Sequence, residues 1–289
     1  MKISTKATKR IVHFICILLL SAPLTVFAQD SMIVVPVAVS RPLKNVVTVS
    51  PALAKFTDPV AAVASITDAS ATNPYLVVIG PGVYTITSTL VMKEYVEIAG
   101  SGENVTTIKG AISTGSLDMS SAIISGSRNA ALSSLTVQNT GGSKYSIALH
   151  NHFAHLRMNN VTAIASGGTS SNYGIYNSGS NPVMTHVTVK ASDGTCRYCI
   201  YNYAFSSPTL DGVTTAAAGN CSYGVYSAYS SPKIRRSTID GDSYALYVHS
   251  SQTWVSQSTI LGAVGGPGTK TCVACDDGKG VYLPLDCIP

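Results

Sequence analysis

From residue 75 to about residue 265 the apolar positions of this 289-residue chain show no sustained helical spacing. They alternate with polar positions in short runs, and Ser, Asn, Gly and Pro interrupt the runs. Alternation with period two marks strands that bury one face, and the interruptions mark turns. One phrase returns four times, as Tyr173-Gly174-Ile175-Tyr176, Tyr198-Cys199-Ile200-Tyr201, Tyr223-Gly224-Val225-Tyr226 and Tyr244-Ala245-Leu246-Tyr247, in steps of 25, 25 and 21 residues. Met184, Ile234 and Val255 follow the second tyrosine of their phrases by eight residues, and Leu210 follows Tyr201 by nine. Val187-Thr188-Val189, Val213-Thr214-Thr215, Ser237-Thr238-Ile239 and Ser258-Thr259-Ile260 come next. Ser180-Asn181-Pro182, Ser206-Ser207-Pro208 and Ser230-Ser231-Pro232 supply the corners between.

A constant period of this length predicts a solenoid, each unit stacking on the one before. Here the unit is two or three short strands with polar corners, so the prediction is an all-β parallel β-helix. Upstream, Tyr145-Ser146-Ile147-Ala148-Leu149 fits the phrase, with Leu156 eight residues after Ala148 and Val161 in the place of Val189. Ile123, Leu132, Leu135 and Val137 fit one coil earlier. Residues 75–264 thus predict about eight coils, each rising ~4.8 Å, a rod roughly 40 Å long. Residues 29–74 read as an entry strand (Met32 to Val35, then Val46 to Val49) followed by the one good helical segment, Asp58 to Ile66. Asp58 suits the N-cap and Pro59 the first turn. A solenoid needs its open ends covered, so this helix is expected as the N-terminal lid and residues 265–289 as the C-terminal closure.

The segments Ile79-Gly80-Pro81-Gly82-Val83-Tyr84 and Tyr95-Val96-Glu97-Ile98-Ala99-Gly100-Ser101-Gly102, with the Gly-Ile-Tyr phrases, resemble secreted β-helix proteins of the pectin-lyase-like superfamily. The resemblance implies a right-handed helix. It leaves activity open, because the fold hosts lyases, hydrolases, esterases and non-catalytic proteins.

The first 28 residues read as an export signal. Lys2, Lys6, Lys9 and Arg10 precede an apolar Ile11-to-Leu20 run too short to span a bilayer, and Val26-Phe27-Ala28 offers a cleavage site. A secreted or periplasmic protein is expected, with no membrane span in the mature chain. Of the 19 Lys and Arg residues, four lie in this segment, against none of the 14 Asp and Glu residues. The remainder is near neutral, which argues against a nucleic-acid partner. Six cysteines follow the segment, and an oxidising compartment favours bridges over a metal site. Cys196 and Cys221 are one period apart, so stacking brings their Cα atoms within bridging distance. A Cys272–Cys287 loop would tie down the tail. Whether Cys199 and Cys275 pair stays open.

Enzymes of the fold mostly need clustered carboxylates, yet no Asp or Glu lies between Asp118 and Asp193. None of those families' catalytic motifs carries over. The least implausible enzyme, a polysaccharide lyase or esterase acting on pectin-like acidic polysaccharide, would use Asp211, Arg235, Arg236, Asp240 and Asp242. It alone would call for a cofactor, Ca²⁺ held by Asp240 and Asp242. Asp211 and Arg235 occupy equivalent places in adjacent coils and are expected to form a salt bridge. His150 and His152 could share a metal, with His249 in the column of His150, but no carboxylate or cysteine completes the set. Tyr176, Tyr201, Tyr226 and Tyr247 are expected to point outward as a ladder of rings, with Trp254 on the outer side of its strand. Such rings stack on sugars, or simply on one another. The favoured reading is a non-catalytic exported protein that binds polysaccharide or a surface partner along this aromatic face.

Overall fold

The computed structural model describes residues 45–52 and 54–288. The expected export segment and the Met32-to-Val35 strand lie outside the described residues. The rest winds into a right-handed parallel β-helix of about seven turns. Two sheets form its walls. One contains the tyrosine phrases, in Tyr145–His152, Ser171–Ser178, Cys196–Tyr203, Ser222–Ala228 and Tyr244–His249. The other is bent. Its strands, such as Arg157–Ala165 and Val183–Ala191, turn a corner midway, where Asn160, His186, Gly212, Arg236 and Gln257 each take a positive φ of 48–64°. Gly212 is the glycine in this column, and a Cβ there would sit 2.8 Å from the His186 ring.

Successive coils pair in parallel on both walls, the one antiparallel contact among the described strands being Ser113–Thr114 with Tyr145–Ser146, so equivalent residues become neighbours along the axis. On the bent sheet Leu132, Met158, Met184, Leu210, Ile234, Val255 and Cys272 stand in one file. On the tyrosine sheet Ile124, Leu149, Ile175, Ile200, Val225 and Leu246 form another. All of these residues are buried, and together they make the core. The upstream alignment read from sequence is corrected by two residues. His150, and not Ala148, pairs with Tyr176, and Val161 pairs with Val187. A two-residue slip keeps strictly alternating side chains on their faces, so alternation alone could not detect it; the faces change only at Ile147 and Ala148, where alternation breaks. The coil count falls below eight because the coil from Glu97 to its partner Ala131 carries an excursion, residues 111–121, outside the walls.

Several polar groups inside the coil pair along the axis, although Asn151 Oδ1, Ser146 Oγ and Thr253 Oγ1 have no partner among the described residues. Asn151 Nδ2 donates to Asn177 Oδ1 (2.9 Å), Asn177 Nδ2 to Asn202 Oδ1 (2.8 Å) and Asn202 Nδ2 to Ser227 Oγ (3.2 Å), all four residues being fully buried. At one corner the amides of Ala154, Ser180, Ser206 and Ser230 each donate to the serine hydroxyl one coil on. At another, Val213 N and Ser237 N donate to Ser237 Oγ and Ser258 Oγ.

Helix α1 (Pro59–Ala64) starts on Asp58, whose carboxylate accepts from the amides of Val60 and Ala61. Ala62, Val63 and Ile66 enter the core at the N-terminal end. Cys196–Cys221 bridges two stacked coils with Cα atoms 4.8 Å apart, and Cys272–Cys287 closes the tail. Cys199 and Cys275 are buried free thiols.

Asn177→Ala leaves the Asn151 amide and the Asn202 carbonyl without partners. Each such buried group costs about 1–3 kcal/mol, so a loss of about 2–5 kcal/mol is expected in denaturant unfolding. Lys190→Ala, on the exposed side of the same coil, should stay within about 0.5 kcal/mol of wild type. Equal losses would show that the buried ladder contributes nothing particular.

Candidate functional site

The tyrosine phrase departs from strict alternation at its second residue. Backbone partners run Ile147 to Tyr173 and Leu149 to Ile175, while Ala148 and Gly174 are passed over. Both middle residues of each phrase therefore face inward. Ala148, Cys199 and Ala245 are fully buried beside the aliphatic file. Space at this place is scarce, since a Cβ on Gly174 would lie 2.2 Å from Val189 Cγ1 and 2.8 Å from the Cys199 carbonyl. That crowding selects the small residue and turns both flanking tyrosines outward.

Two files of rings result. Tyr176, Tyr201, Tyr226 and Tyr247 stack at 5.3, 4.9 and 5.1 Å with planes within 9° of parallel. Tyr173, Tyr198, Tyr223 and Tyr244 stack beside them at 5.0, 5.0 and 5.7 Å. The files meet edge to face, as in Tyr198–Tyr201 (5.1 Å, 82°) and Tyr223–Tyr226 (5.2 Å, 88°). Both arrangements suit the ring quadrupole. The second file was not anticipated, because strict alternation places Tyr173 on the side of Ile175.

The ladder is correspondingly less open than expected. Tyr173 and Tyr176 are 5% and 8% exposed, and the other six rings are half-buried. Tyr203, 42% exposed, stands beside Tyr201 at 6.4 Å. Burial raises the phenol pKa of Tyr176 and Tyr226 and takes that of Tyr198 to about 12, so these rings stay neutral. The tyrosine hydroxyls of Tyr75 and Tyr84 donate to the protein, whereas those of Tyr176, Tyr201, Tyr226 and Tyr247 donate to none of the described residues.

At its N-terminal end the outer file continues as His150, stacked on Tyr176 at 5.3 Å, and then reaches Ser125, which has no ring. The excursion arches over this point. Asn139 holds it: its Nδ2 is shared by the carbonyls of Ile112, Ser121 and Ile147, and its Oδ1 accepts from the Ile112 amide. Leu117 consequently packs on the first tyrosines. Between excursion and sheet lies a cleft of about 520 Å³. Leu117, Asp118, Met119 and Ser120 line one side, and Ser125, His150, His152, Tyr176 and Ser178 the other. His150 is 5% exposed, and its Nδ1 has no hydrogen-bond partner. Burial, aided by His152 and opposed by Asp118, lowers its pKa to about 4. Asp118 accepts from the amide and hydroxyl of Ser120, which holds its carboxyl below the usual value.

The remaining predicted residues fall elsewhere. His150 and His152 lie side by side with parallel rings 6.0 Å apart, so their nitrogens do not converge. Among the described residues no group of three or more potential ligands surrounds a metal position. His249 is in the file of His152 and not of His150. Trp254, 52% exposed, projects from the bent sheet in register with Lys233 and Thr271, on a different wall from the tyrosines. Asp211 receives both arginines, at 2.9 Å from Arg235 Nη2 and 2.9 Å from Arg236 Nε. Its burial favours the neutral acid, but the two guanidiniums prevail and lower its pKa. Asp240 stands past the corner at Arg236, its pKa raised by burial and then by Asp242. Asp242 accepts from the Gly219 amide at 2.6 Å. These five residues make a structural ion pair and a turn, and they do not meet in a common cleft.

No protein-family model matches the chain, and no curated relative is similar to it. Among solved structures it is similar to a pectin methylesterase in complex with a hexasaccharide (TM-score 0.58, 14% identity, 83% of this chain and 91% of that one). It is also similar to the pectin methylesterases of Erwinia chrysanthemi (TM-score 0.56, 14% identity, 84% and 91%) and Yersinia enterocolitica (TM-score 0.52, 12% identity, 78% and 92%). At such identities the likeness shows the pectin-lyase-like fold and nothing of the site.

A buried neutral histidine couples stability to pH. Its contribution is complete above 6.5 and drains as pH falls towards 4, because the unfolded chain takes up the proton first. NMR titration should find the His150 midpoint near 4; a midpoint near the ordinary 6.5 would contradict the enclosure described here.

Proposed function

We propose that this is an exported, non-catalytic β-helix protein that binds polysaccharide along its tyrosine face. The observation that carries the reading is the pair of tyrosine files on one straight wall, with the hydroxyls of the outer file bonded to no described residue. Rings of this kind offer apolar surface to the face of a sugar, and phenol groups offer hydrogen bonds to its hydroxyls. A rigid rod presents them in a fixed row, which limits the ordering cost of binding an extended chain. Two disulfides suit the oxidising compartment that an exported protein meets. No helix among the described residues is long and apolar enough to cross a membrane. The solved structure of a pectin methylesterase of the same fold is a complex with a hexasaccharide, which supports the reading. The enzyme reading lacks support, since Asp211 is engaged by Arg235 and Arg236, and Asp240 and Asp242 do not join that cluster in a common cleft.

Affinity electrophoresis through gels containing neutral or acidic polysaccharides tests this directly. The mature protein should be retarded by at least one polymer. Tyr203→Ala, and a triple variant with Phe at positions 201, 226 and 247, should weaken retention by about tenfold while leaving the fold intact, since each lost hydrogen bond counts for about 0.5–1.5 kcal/mol. Unchanged retention in both variants would remove the tyrosine face from the account. Release of methanol or unsaturated product from pectin by the wild type would replace binding with catalysis.

A further inference from the structure

The outer ring file is interrupted at a definite place. Its members follow one another at about 5 Å from Tyr247 up to His150, and the next position belongs to Ser125, which has no ring, so that His150 borders the cleft with only an edge exposed. The excursion does not fill that space with a ring either. It brings Leu117 and Met119 to the side and the Asp118 carboxylate to the rim, and a cleft of about 520 Å³ remains. A six-membered ring fits this volume with room for its substituents. The buried His150 lacks a partner for Nδ1 although it is 95% enclosed, and a buried polar atom in that condition favours a ligand or water that supplies one.

We propose that this cleft is an end-site for the terminal pyranose ring of a neutral or amino-sugar glycan, which lies beside His150 at the end of the ring file. This rests on the tyrosine-face reading and gives that face a direction and a selectivity. The flat apolar side of the ring rests against Leu117, Met119 and the exposed edge of the imidazole, whose face Tyr176 already covers. The hydroxyls find Ser125, Ser178 and Asp118. Asp118 accepts from its own turn only, so it has lone pairs left for sugar hydroxyls. The same carboxylate repels a uronate, and among the described residues no Lys or Arg lines the cleft to offset it. The histidine ring is neutral near pH 7 and adds no charge to attract one. The expected preference is therefore opposite to that of a site built for acidic sugars.

The test is an NMR titration of the full mature protein, following the His150 and His152 ring resonances. The probes are methyl β-D-glucopyranoside, methyl β-D-galactopyranoside, methyl β-D-glucosaminide and methyl α-D-galacturonate. At least one neutral or amino glycoside should move the His150 resonances with a dissociation constant of the order of millimolar. The galacturonate should bind about fivefold or more weakly. Asp118→Asn, an exposed change, should narrow that gap. Ser125→Phe, which puts a ring where the sugar would lie, should abolish the shifts; should Ser125→Phe not fold, the Asp118→Asn comparison decides alone. Absence of His150 shifts with every neutral and amino glycoside, or a wild-type preference for the galacturonate, overturns the proposal. Polymer retention in gels with no His150 response would retire the end-site and leave the tyrosine face standing. A His150 response without polymer retention would do the reverse.

Discussion

Parallel pairing in strict register is the constraint from which the rest of the molecule follows. Once Tyr173 lies beside Tyr198, Tyr223 and Tyr244, every other position of the coil is committed to a neighbour about one strand spacing away. Apolar residues then form the continuous files of the core. A polar residue inside has its own counterpart as the nearest partner, which is why Asn151, Asn177 and Asn202 form a chain of amides in which each donates to the next. Aromatic residues outside must stack. Two cysteines one period apart meet. The interruptions of these files are informative for the same reason: Ser125 ends the outer ring file, and a cleft opens there.

Much of this was legible in the chain before any coordinates. The tyrosine phrases set the period, and the spacing from phrase to Met184, Leu210, Ile234 and Val255 identified a core file that the structure contains. The Cys196–Cys221 bridge followed from the same arithmetic. What escaped has physical causes. Asn177 and Asn202, which follow the first two phrases, are polar residues close to the turns, so their position inside the wall is visible only in three dimensions. The inward pair Gly174-Ile175 breaks alternation, and the second tyrosine file depends on that break. The two-residue misalignment upstream put Ala148 at an outward place and Ile147 at an inward one, the reverse of what the structure has, moved His150 off the tyrosine file and placed His249 in the wrong column. The cleft could not be foreseen, because it depends on Asn139 drawing residues 111–121 back across the tyrosine wall.

The charged residues show how three members of a candidate catalytic set come to pair with one another. The positive φ at Arg236 turns its side chain towards the carboxylate that Arg235 already reaches from the adjoining position. Asp211 therefore neutralises a corner where two cations would otherwise face each other. The two tyrosine files are built from neutral rings. Their contacts with a ligand would be stacking and hydrogen bonds between uncharged partners, which salt screens little.

The account turns on where a glycan touches the rod. Intermolecular nuclear Overhauser effects between a bound oligosaccharide and the protein's aromatic protons address this without any substitution. Cross-peaks from sugar ring protons to His150, Tyr201 and Tyr226 are the predicted result. Cross-peaks confined to Trp254 would place the ligand on the opposite kind of wall and contradict it.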